Sequence, residues 1–120
     1  MKKSLAIFLI AFSGFAAAQD GADKGPGDEA VVRGHLVYGK FCAKCHGQDA
    51  NGQGKDAWKY APAPTNFRIA LAARGYMVNI VKKGGKPLGR SEDMPDWGSD
   101  LSDAQIQDVV DYLMSVRINK

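Results

Sequence analysis

The feature that most constrains this 120-residue chain is FCAKCHG, Phe41 to Gly47, which holds both of its cysteines and one of its two histidines. Cys42 and Cys45 stand three positions apart and His46 follows at once. On a helix, residues three apart share a face. Two thiols and an imidazole would then meet one neighbour together, and the fold has to bring that neighbour to them.

The start of the chain narrows the choice. MKKSLAIFLIAFSGFAAAQ has two lysines, an apolar run from Leu5 to Phe15 and a small-residue stretch Ala16-Ala17-Ala18, the pattern of a secretory signal peptide. The run is shorter than the roughly 20 residues of a spanning helix. We expect residues 1–18 to be a cleaved leader, Gln19 to be the first mature residue and the protein to be periplasmic. Cysteines of exported chains are expected to be bridged, bonded to a cofactor or bound to metal.

The roughly 102 residues after the leader make one domain with a modest core. Without Lys2 and Lys3 the 16 basic residues fall to 14 against 13 acidic ones, so the mature chain is near neutral. Basic residues are not interleaved with stacking aromatics, which argues against nucleic-acid binding.

Residues 19–27 are polar and glycine-rich, and are expected to be flexible. Asp28 is expected to cap a helix whose apolar positions Val31, Leu36, Val37, Tyr38 and Phe41 run into the cysteine motif. GQDANGQGKDAWKYAPAPTNF reads as a loop of about 20 residues, uncommon in a compact domain unless it is functional. Phe67 to Arg74 and Tyr76 to Lys83 are predicted as short helices, the second closed by Gly84-Gly85. KPLGRSEDMPDWGSD is a second irregular loop. A last helix follows, with a capping box of Ser102 and Gln105 and an apolar stripe of Ile106, Val109, Val110, Leu113 and Val116. No strand pattern occurs, and the expected class is all-α.

C-x-x-C-H is the attachment signature of c-type haem. Cys42 and Cys45 can each form a thioether with one vinyl group of a single porphyrin, and His46 then presents its imidazole to the iron. Rival readings explain less. A thioredoxin-like pair needs a βαβ context, zinc needs four ligands, and a disulfide between Cys42 and Cys45 gives His46 no purpose.

On these residues the chain resembles the class I monohaem c-type cytochromes, from about Gly34 to Val116. The resemblance implies a cytochrome c fold, about four short helices wrapped around one covalently bound haem, with the domain spanning residues 28–120. It also implies that Gly34 and Tyr38 lie where the first helix crosses the last, against Val109 and Tyr112. MPDW resembles the family's distal-ligand loop, in which proline follows the methionine.

Four methionines are candidates for the sixth ligand. Met1 belongs to the leader, while Met77 and Met114 lie in predicted helices and read as packing. Met94 lies in an irregular loop, 48 residues beyond His46, and is the expected ligand. His35 would have to reach the opposite ring face from the helix leading into the motif, and reads as a solvated residue. His46 should donate its second N–H to a backbone carbonyl, which the resemblance places at Pro62 or Pro64. Trp58, Tyr60, Phe67 and Trp97 are candidate pocket walls.

Cys42, Cys45, His46 and Met94 are thus the expected binding residues, with haem c as cofactor. The expected function is one-electron carriage between redox proteins, without catalysis, as a monomer or as a subunit of a redox complex. The alternatives are a haem subunit held by a periplasmic dehydrogenase or reductase, or a sensor or enzyme if Met94 is labile. Lys82, Lys83, Lys86 and Arg90 have no acid among them, whereas Glu92 to Asp111 holds seven acids and no base. That run of bases is a candidate docking patch.

Overall fold

The computed structural model describes residues 27–118. The expected leader, residues 1–18, and all but the last residue of the expected flexible segment lie outside the described residues. Four α-helices follow in order: α1 (Asp28–Phe41), α2 (Ala43–His46), α3 (Arg74–Lys83) and α4 (Asp103–Ser115), joined by single 3₁₀ turns at Ala57–Lys59, Lys86–Leu88 and Trp97–Ser99. The described residues contain no strand, and the fold is all-α.

α1 begins one residue earlier than expected. Gly27 is the capping position and Asp28 is already helical, without a side-chain cap. Asp28 and Glu29 instead set negative charge against the positive end of the helix dipole. At α4 the expected capping box is present: the Gln105 N–H donates to Ser102 Oγ and the Ser102 N–H to Gln105 Oε1.

The core lies where α1 crosses α4. A Cβ at Gly34 would run into the Asp108 carbonyl and lie 2.9 Å from Tyr112 Cβ, so only glycine permits this approach. Tyr38, Ile106, Val109, Val110 and Leu113 are withdrawn from water around it. Arg33 clamps the crossing from outside through Asp108 at 2.7 Å. Leu36 departs from expectation: it lies on the outer face of α1 and is 70% exposed. α3 is fastened to α4 by Arg74 on Asp111 at 2.7 Å.

The predicted helix from Phe67 to Arg74 does not form, because its backbone groups have partners elsewhere. Phe67 N–H donates to Ala50, Arg68 N–H to the Asn66 side chain, and the Arg68 carbonyl accepts from Ile118. Helix starts only at Arg74. It ends as expected at Gly84, whose φ of 77° lies in the left-handed region.

Candidate functional site

α2 is a single turn, too short to stand by its own hydrogen bonds. Its four carbonyls are all claimed from outside its own span. Gly47 N–H donates to Ala43, Asp56 to Lys44, Gly54 to Cys45 and Gly52 to His46, at 2.7 to 3.1 Å. The long loop therefore folds back over the end of the motif and satisfies it. A Cβ at Gly54 would strike the Lys44 carbonyl. Gly52 takes a positive φ of 81° against the Pro64 carbonyl. From the other side Tyr38 donates its buried hydroxyl to the Gly47 carbonyl at 2.6 Å, tying the motif to the α1–α4 crossing.

These restraints set Cys42, Cys45 and His46 on one wall of a cavity of about 430 Å³, within the size range of cofactor sites. His46 Nδ1 lies 3.1 Å from the Thr65 carbonyl. A carbonyl only accepts, so Nδ1 carries the proton and Nε2 keeps a free lone pair. Burial lowers the imidazole pKa against the opposing pull of that hydrogen bond, keeping the ring neutral. The acceptor is thus Thr65, not Pro62 or Pro64. The Pro64 carbonyl faces Gly52, and the next one reaches His46. Phe67 packs against the imidazole with ring centroids 4.7 Å apart.

Met94 lines the same cavity from the segment between α3 and α4. Its backbone rests on the two glycines that end α3, since Gly85 N–H donates to the Met94 carbonyl at 3.0 Å. A Cβ at Gly84 would come within 2.9 Å of that carbonyl, and one at Gly85 would collide with the Ser91 carbonyl. The sequence marked this pair as a helix stop; in the structure it is also the seat of Met94.

Tyr60, Phe67 and Trp97 line the cavity with Phe41, Tyr76, Ile80, Val81 and Leu113. Trp58 does not: it is 80% exposed, with the Lys59 ammonium over its ring. His35 is absent from the lining and stacks on Tyr112 at 4.9 Å. Tyr76 was missed in the sequence, and Arg90 was read only as part of the run of bases. Arg90 Nε donates to the Tyr76 hydroxyl at 3.0 Å at the cavity rim. The expected run of bases is partly neutralised, because Lys82 pairs with Asp103 at 2.6 Å and Lys86 with Glu92 at 3.3 Å.

The donor set fits a covalently held metalloporphyrin. Two thiols stand at one edge, beside an imidazole whose outer nitrogen is free, and a thioether comes from a separate segment, all around an aromatic and aliphatic space. Burial beside Cys45 pushes the Cys42 thiol up to about 12, so before attachment it is neutral. Among the described residues no three His, Cys, Asp or Glu side chains gather as a metal cluster, and the cysteines are not bonded to each other.

The family model "Cytochrome C oxidase, cbb3-type, subunit III" matches residues 29–113. No curated protein matches the chain significantly. Among solved structures, a chain of the Kuenenia stuttgartiensis reducing HAO-like protein complex is similar, with a TM-score of 0.59 and 26% identity over 71% of this chain. The match spans only 41% of that other chain.

Proposed function

This chain belongs to the monohaem c-type cytochromes, which carry covalently bound haem c in electron transfer, and on that premise we propose that it is an exported one-electron carrier with His46 and Met94 as axial ligands. One observation carries the reading: His46, with Nε2 free, and Met94 border one apolar cavity from separate segments, with both cysteines at its edge.

When bound, the haem supplies a ferrous/ferric couple. Cys42 and Cys45 would hold it by thioethers from α2, whose carbonyls are already tied down by the loop. His46 donates through Nε2 while Thr65 fixes its ring and raises its basicity. Met94 offers a neutral sulfur, which raises the reduction potential relative to a second imidazole. The aromatic and aliphatic lining excludes water and disfavours the more highly charged oxidised state, acting in the same direction. With His46 and Met94 both holding the iron, no open position would remain there for a substrate. No helix among the described residues is long and apolar enough to cross a membrane.

The test is the visible spectrum of the exported protein with and without carbon monoxide. The reduced form should be indifferent to carbon monoxide, and the oxidised form should show the long-wavelength sulfur-to-iron band. Met94→Ala should abolish the band, admit carbon monoxide and lower the potential. Ready carbon monoxide binding by the unaltered protein would instead mean an open sixth position, as in a sensor or enzyme.

A second reading, a haem subunit inside a larger redox assembly, is favoured by the similarity to a chain of the reducing HAO-like complex. Gel filtration of native extract separates the two: a free carrier elutes as a monomer, no larger than the 12.9 kDa of the whole chain, a subunit with its partners.

A further inference from the structure

Two thioethers border the cavity, not one: Met94 between α3 and α4, and Met77 on α3. Met77 is only 2% exposed. Methionine is unbranched and adaptable, so chemistry alone does not choose between the two sulfurs for a single open position on iron. Their surroundings differ. Arg117, just beyond α4, donates from Nη2 to Met77 Sδ at 2.9 Å and from the same nitrogen to the Ala72 carbonyl at 2.6 Å. No hydrogen bond to the Met94 sulfur is formed among the described residues.

We propose that Arg117 selects the axial ligand: by occupying the Met77 sulfur it withholds that thioether from iron and leaves the sixth position to Met94. The inference rests on the His46/Met94 ligation proposed above. The hydrogen bond takes one of the two sulfur lone pairs and pins the Met77 side chain against Arg117, so turning that sulfur toward iron would break the contact. The donor is a permanently charged, planar group whose Nε is buried without a partner, and freeing Met77 would leave its Nη2 with the Ala72 carbonyl alone. Arg117 lies far from Met94 in the chain and acts only through Met77, as a positioning residue.

The experiment compares holoproteins by the ferric sulfur-to-iron band and by carbon monoxide titration of the ferrous form. Met94→Ala should lack the band and bind carbon monoxide readily, because Arg117 still holds Met77. Adding Arg117→Leu should restore the band and weaken apparent carbon monoxide affinity by about tenfold, the effect of Met77 filling some nine sites in ten. Adding Met77→Leu to that pair should erase both changes, and Met94→Ala with Arg117→Lys, which keeps a cationic donor, should stay close to Met94→Ala. If the leucine variant does not accumulate as holoprotein, Arg117→Gln keeps an amide donor while shortening the reach to sulfur, and the same expectations hold.

A double variant indistinguishable from Met94→Ala overturns the selection. So does Met94→Ala that keeps its band until Met77→Leu is added, since Met77 would then bind unaided. A band missing from the unaltered protein, or one that survives loss of both methionines, defeats the ligation itself and the inference with it.

Discussion

At the crossing of α1 and α4, Gly34 lets two backbones touch while Tyr38, Val109 and Val110 leave water altogether. In residues 84–102, Leu101 is the only buried side chain apart from the two glycines at the start. Met94 is held there chiefly by a glycine N–H and by whatever occupies the cavity. The first region is stabilised by apolar burial that exists in the polypeptide alone; the second is organised by backbone hydrogen bonds around a space. Regions with few apolar contacts open most readily. The crossing is therefore the last part of the molecule to open, and the Met94 segment the first.

The largest test of this division removes the tether. Cys42→Ser with Cys45→Ser should lose covalent haem entirely and leave a largely unfolded chain, because the cavity walls then enclose nothing. A native-like helical circular dichroism spectrum from that variant would break the comparison by making both halves self-supporting. Next in size, Gly34→Ala should drive a methyl group into the Asp108 carbonyl and destabilise the holoprotein by about 3 kcal/mol, the upper range for overpacking, read as a lower denaturation midpoint. An unchanged midpoint would mean that the crossing yields without resistance.

Tyr38→Phe removes the hydroxyl that joins the crossing to the motif and leaves the Gly47 carbonyl with the Ala50 N–H alone, for about 1 kcal/mol. It should destabilise the fold while leaving the sulfur-to-iron band in place. The smallest effect concerns Asp56, whose carboxyl Lys59 and Lys44 hold down at about 2, below the ordinary 3.8. A depressed folded value contributes stability that is complete above the unfolded pKa and fades as pH falls through the folded one. Asp56→Asn should therefore destabilise slightly at neutral pH and flatten the loss of stability between about pH 4 and pH 2. An acid-unfolding curve parallel to that of the unaltered protein would show that the loop over α2 does not depend on this pair.

What was legible in the sequence divides along the same line. The all-α class, the capping box and the last helix with its stripe follow from local patterns that packing reinforces. So does the gathering of cysteines and histidine, which spacing alone dictates, whereas the close approach at Gly34 came from the resemblance to the cytochromes. The false helix at 67–74 had helical composition, but its N–H and carbonyl groups were taken by Ala50, Asn66 and Ile118, the first and last of which no local window of sequence contains. The acceptor for His46 is Thr65, not Pro62 or Pro64, because carbonyl direction depends on backbone conformation. Trp58 looked like pocket lining for its size, yet the 3₁₀ turn at Ala57–Lys59 carries it outward. The hold of Arg117 on Met77 joins residues 40 positions apart, and no spacing rule would pair them.

The spacing of the two proposed ligands has a consequence in chain statistics. His46 adjoins a cysteine tether, so making its bond closes almost no loop. Met94 stands 48 residues further on, and fixing it closes a loop whose entropic penalty, with a logarithmic dependence on length, is roughly 3 kcal/mol. Heat magnifies that penalty and leaves the proximal side untouched. On warming, the sulfur should leave the iron first, while porphyrin, imidazole and the two crossed helices stay together, and on cooling the same bond should form again without the cofactor ever having been lost.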